Sequence, residues 1–80
     1  MDIEARVKNV ISDICQVDEV EKSSVLRGEL GLDSLSMILL LVELENVFNI
    51  QIKEEDLNPL EIVTVENVIY LVEKYVLWEE

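Results

Sequence analysis

The chain has 80 residues, half of them hydrophobic but only 5% aromatic, and its 18 acids against 6 bases give a net charge of −12. That length holds one small aliphatic core, so residues 1–80 are expected to form a single domain. The acidity excludes nucleic acid and anionic membrane surfaces as partners, since both are bound through Lys and Arg, and favours a partner with a basic docking face.

In residues 2–15, Ile3, Val7, Val10, Ile11 and Ile14 recur at the spacing of one helical face, with the charged residues largely elsewhere. Cys15 follows beside that face and is expected to be a half-buried, unreactive small hydrophobe. Residues 17–33 contain both glycines, Gly28 and Gly31, and read as a connection of roughly 17 residues, longer than usual. Val20, Val25, Leu26, Leu30 and Leu32 are expected to pin it to the core. Asp33 is a favoured N-cap, and an uninterrupted helix runs from it to about Phe48.

Along that second helix Met37, Leu40, Leu41, Leu44, Val47 and Phe48 share one side, the expected core face. Leu35, Ile38, Leu39 and Val42 fall on the other, with Ser36, Glu45 and Asn46. The first loop is expected to fold over at least one of these four aliphatic residues, Leu35 or Leu39 first, because a wholly exposed aliphatic cluster is an association liability. Lys53 to Asn58 suggests one short helical turn, stopped near Pro59. Thr64 is a plausible N-cap for a last helix from Val65 to about Trp78, with Val65, Val68, Ile69, Val72, Tyr75 and Val76 inward. Trp78 either packs over the bundle edge or makes an external contact. Ile50–Ile52 and Ile62–Val65 alternate like strands but are too short to change the class. The expected fold is all-α, with three main helices, one short helix before the last, and a long first loop.

The chain has no histidine, so the commonest general base and metal ligand is missing. One cysteine rules out an internal disulfide and fits a reducing, cytoplasmic setting. No signal or lipidation pattern is present, and the longest apolar run, Met37 to Val42, is far too short to span a bilayer. No catalytic residue and no metal site are expected. The acidic runs Asp18–Glu21 and Lys53–Asp56 lack the spaced ligands and glycine of a calcium loop and read as solvated faces.

The informative stretch is Leu30-Gly31-Leu32-Asp33-Ser34-Leu35. Ser34 lies in the first turn of the second helix, with no neighbouring base to make it a nucleophile in its own right. The helix N-terminus favours an anion there, so a phosphoester on Ser34 would sit in a favourable field, partly offset by Asp33. On residue chemistry alone, plain helix capping is the more common meaning of such a dipeptide.

Over nearly its whole length the chain resembles the acyl carrier protein family. The matching stretches are Leu30 to Leu35, Glu43 to Phe48, Ile50 to Leu57 and Thr64 to Val68, in order and at fitting distances from both ends. The resemblance implies an acyl-carrier-like four-helix bundle with 4′-phosphopantetheine attached to Ser34 by a separate phosphopantetheinyl transferase. It implies that Asp33 caps the helix and helps hold the transferase's magnesium. It also implies a non-enzymatic carrier that presents acyl thioesters to acyl-transferring, condensing or ligase enzymes of fatty-acid, polyketide or specialised lipid synthesis; the chain is expected to be free-standing, and nothing in the sequence demands more than a monomer. Docking is expected on Leu35, Ser36, Ile38, Leu39, Val42, Glu45 and Asn46. An acyl chain is expected between the helices, lined by Met37, Leu40, Leu44, Phe48, Ile52, Ile62 and Val68.

The chain departs from the family on the docking helix. Ser36 and Leu39 stand where fatty-acid-synthesis members tend to have carboxylates, and Asn46 replaces a frequent acid. These departures point to a greasier docking face and a specialised pathway. Two alternatives stand beside this reading. One is a D-alanyl or aminoacyl carrier, although Leu32 occupies the place of the second glycine usual in peptidyl carriers. The other is a helical interaction module without a prosthetic group.

Overall fold

The computed structural model describes residues 2–58 and 61–78, with the Trp78 side chain excluded. Helix α1 spans Ile3–Cys15, α2 Ser34–Phe48 and α3 Val65–Trp78, and a 3-10 turn covers Glu54–Asp56. The expected stop at Pro59 and the packing of the Trp78 ring lie outside the described residues.

Each helix begins where a side chain takes an otherwise orphaned N–H. Asp2 accepts from Ala5 N at 3.1 Å, and Asp33 from Ser36 N at 2.7 Å. At α3, Thr64 Oγ1 accepts from Asn67 N, while Asn67 Oδ1 accepts from the N–H groups of Val63 and Thr64. This reciprocal arrangement is a capping box with Asn in place of Glu or Gln. Helices α1 and α2 end on Gln16 and Asn49 in the left-handed conformation, and each cap N–H returns to a carbonyl of the last turn.

The core is aliphatic, as composition dictates. Val7 and Ile11 of α1, Met37, Leu40, Leu41 and Leu44 of α2, and Val65, Val68, Ile69, Val72 and Tyr75 of α3 meet in it. Val20, Leu26, Leu32, Ile52 and Ile62 bring the connections into the same cluster. The expected helical faces are therefore the buried ones, with Val47, Phe48 and Val76 half-buried at the edges. Arg6 lies over the Phe48 ring at 4.8 Å and donates to Val47 O at 3.1 Å, tying α1 to the C-terminal end of α2.

The first loop is fastened to the start of α3. Leu26 N donates to Val63 O, Val65 N to Ser24 O and Glu66 N to Lys22 O. Two of the N–H groups that α3 cannot satisfy internally are thus taken by loop carbonyls. Val25 and Thr64 form an isolated antiparallel bridge, with no strand among the described residues.

The short third helix is a single 3-10 turn. Three consecutive carboxylates there offer no apolar face to propagate a longer helix. The turn is held by Tyr75, whose hydroxyl donates to Asp56 and accepts from Lys53 N at 2.9 Å. Lys74 pairs with Asp56 at 3.2 Å.

Candidate functional site

Ser34 is the first residue of α2, and its place is set by what precedes it. Leu26 and Leu32 are buried anchors, and Leu32 N donates to Leu26 O at 2.9 Å. Between them Gly31 has a φ of 75°, which an L side chain adopts only with strain. The chain therefore turns just before Leu32, drives Leu32 inward and leaves Asp33 and Ser34 on the surface.

Asp33 is extended and caps α2 through Ser36 N, and that N–H holds its carboxyl below the usual carboxylate range. The nearby Arg27 charge acts in the same direction. Asp33 O also accepts from Met37 N at 2.9 Å. The N–H groups of Ser34 and Leu35 belong to the first turn, which has no intrahelical acceptor for them.

Ser34 Oγ accepts a 2.8 Å hydrogen bond from Arg27 Nη2. Sequence reasoning missed this contact. Its available signal was that Arg27 is the one cation between Lys22 and Lys53, although the contact itself depends on the path of the loop. A Cβ added to Gly31 would meet nothing within 4 Å, so the space beside the site is open. An exposed hydroxyl, an adjacent guanidinium, an open approach and a helix N-terminus together fit a bulky phosphoester on Ser34.

The outer face of α2 differs from the expectation in one respect. Leu35, Ile38, Leu39 and Val42 are 66%, 50%, 56% and 47% exposed, so the first loop covers neither Leu35 nor Leu39. The reason is the loop's attachment. Its backbone bonds fasten it to residues 63–66 at the start of α3. Leu39 and Val42 join Val10, Ile14 and Val47 in a surface groove of about 410 Å³ between α1 and α2, also lined by Asp13 and Glu43.

Ser36 is half-buried at the start of this face and Asn46 is exposed near its end. Glu45 is placed differently from its neighbours. It is half-buried, and its carboxylate accepts from Ile52 N at 2.8 Å, so it is turned to the loop that follows α2.

Met37, Leu40, Leu44, Ile52, Ile62 and Val68 are brought together in the core, with Phe48 packed against them. Cys15 is half-buried, and burial pushes its thiol pKa up, which makes it a poorer nucleophile. Among the described residues no group of three or more acidic or sulfur ligands is placed to hold a metal ion. No described helix is long and apolar enough to cross a membrane.

The family model described as "Phosphopantetheine attachment site" matches residues 5–72. An acyl carrier protein of Chlorobium phaeobacteroides is 37% identical over 78 aligned positions, covering 89% of this chain and 97% of the relative. A solved structure described as "a putative acyl carrier protein" from Mycobacterium tuberculosis matches with a TM-score of 0.79 and 33% identity, covering 89% of this chain and 95% of that one.

Proposed function

The chain belongs to the acyl carrier protein family, and from that premise we propose that Ser34 is its attachment point for 4′-phosphopantetheine. Members of this family are carriers and not enzymes, they depend on a phosphopantetheinyl transferase, and 4′-phosphopantetheine is the covalent cofactor. The observation that carries the assignment to Ser34 is its exposed hydroxyl at the start of α2, directly after the capping Asp33.

The chain's own residues hold and present that hydroxyl. Gly31 and Leu32 fix the turn, Asp33 fixes the helix start, and the open side leaves room for a transferase. In loading, Ser34 Oγ forms a bond to a phosphorus of coenzyme A, the nucleotide bisphosphate leaves, and the hydroxyl proton passes to a base. The chain has no histidine to act as that base. The Asp33 carboxylate stays ionised and is available to the transferase's magnesium. Once attached, the arm supplies a terminal thiol that holds acyl groups as thioesters.

The exposed Leu35, Ile38, Leu39 and Val42, with Ser36 and Asn46, form the docking face in this reading, and the interleaved acids are few. An apolar face with little charge suits condensing, acyl-transferring or ligase partners of a specialised pathway, whose binding would depend weakly on salt. Met37, Leu40 and Leu44, with Phe48, Ile52, Ile62 and Val68, are the proposed lining for a guest acyl chain. Their aliphatic, branched and Met side chains repack more readily than an aromatic core.

The test uses the Cys15→Ser variant, so that the only thiol is the one added by loading. The loaded variant should accept an acyl group from an acyl-transferring enzyme as a hydroxylamine-labile adduct, one per chain. An adduct that resists hydroxylamine, or none at all, would contradict the carrier reading.

A further inference from the structure

Arg27 is the only positively charged residue between Lys22 and Lys53, a span that also contains Glu29, Asp33, Glu43 and Glu45. It is exposed on the first loop, so packing does not force its direction. Its Nη2 nevertheless donates to the neutral hydroxyl of Ser34, seven residues away, at 2.8 Å. That bond uses one of the five N–H donors of a planar guanidinium.

We propose that Arg27 is the intrachain partner of the phosphodiester formed on Ser34, holding the proximal end of the arm against the first loop and offsetting its repulsion from Asp33. The inference rests on the reading that Ser34 carries the arm. Esterification leaves the bridging oxygen in place and adds two non-bridging oxygens that share one negative charge. The guanidinium now facing a neutral hydroxyl would then face an anion, and a hydrogen bond with charge on the donor alone becomes an ion pair with charge on both sides. The planar fork of Arg suits two phosphate oxygens better than the point charge of Lys. The helix N-terminus favours an anion whatever residue stands at position 27, so only the contribution of Arg27 is at issue.

The experiment compares wild type, Arg27→Gln and Arg27→Lys, each loaded to completion by a transferase and checked by intact mass. Equal melting temperatures of the three unloaded proteins would show that the fold is unchanged. The readout is the transverse relaxation of the single phosphorus nucleus at low and high salt. An exposed charge pair shifts a local equilibrium by a factor of roughly 1.5 to 5, so phosphorus in Arg27→Gln should relax more slowly than in wild type by up to that factor. Arg27→Lys should fall between them, and about 0.5 M salt should erase the difference. Equal relaxation in loaded wild type and Arg27→Gln at low salt would overturn the inference alone. A wild type that gains no mass would overturn the carrier reading and the inference with it.

Discussion

Asp33 caps α2 and, in the proposed function, also meets the transferase's magnesium, two duties that substitution can separate. As an N-cap its side chain needs only an acceptor for Ser36 N, and Asn supplies one about as well as Asp. As a magnesium contact it needs a charge. Asp33→Asn should therefore melt close to wild type but load more slowly, whereas Asp33→Ala should lose stability and loading together. Thermal melts run beside a loading time course would show this, and Asp33→Asn loading at the wild-type rate would remove the magnesium role. Asp33 as the cap and Ser34 as the first residue of α2 were legible in the sequence because capping is local. A favoured cap residue before an apolar run announces the helix start without any knowledge of the fold. Arg27 was not legible, because its contact with Ser34 depends on how the six intervening residues turn through Gly31.

Among the elements, the first loop shows how long-range anchors govern a segment of weak local preference. Leu26 is fully buried, and its N–H is bonded to Val63 O, so Leu26→Ala should cost about 2–5 kcal/mol by chemical denaturation. A loss near zero would mean that the loop is not held as described. Hydrophobic spacing marked the anchors, but could not tell along which helix they would lay the loop. The loop runs beside the start of α3, so the outer aliphatic face of α2 stays uncovered. Leu39→Gln on that face should change stability by no more than about 0.5 kcal/mol, as for other surface positions, while weakening partner binding.

The turn before α3 makes a different prediction. Tyr75 and then Lys74 hold the Asp56 carboxyl below its ordinary value. A folded pKa below the unfolded one adds stability above the unfolded value, and that stability is lost as pH falls through the folded one. The stability difference between wild type and Asp56→Asn should thus be constant above about pH 5 and shrink below it. A difference that grew with acidification would contradict the arrangement. Tyr75 was legible as a core residue from its spacing, but the grip of its hydroxyl on a turn some twenty residues earlier was not.

At the scale of the whole molecule, charge dominates. The body measures 34 × 26 × 19 Å, and no charged residue is buried among the described ones. Eighteen acids against six bases therefore share one small surface. The Debye length is about 30 Å at 0.01 M salt, which spans the molecule, and about 3 Å at 1 M. Added salt should raise the melting temperature, since screening removes more repulsion than it costs in the few exposed ion pairs. A flat or falling dependence in a calorimetric salt series would show that the acids do not strain the fold. Composition alone announced this property, as it did the aliphatic core. Family membership needed several short stretches in order along the chain, because no single one of them is specific.

Carrier function in this chain turns on one oxygen atom, Ser34 Oγ. Its most direct test is the intact mass of wild type and Ser34→Ala after incubation with coenzyme A, magnesium and a promiscuous phosphopantetheinyl transferase. Wild type should gain the mass of one phosphopantetheine, and Ser34→Ala, folded and melting like wild type, should gain none. A wild type that stays at its starting mass, or a Ser34→Ala variant that gains the same increment, would contradict the assignment of Ser34 as the attachment point.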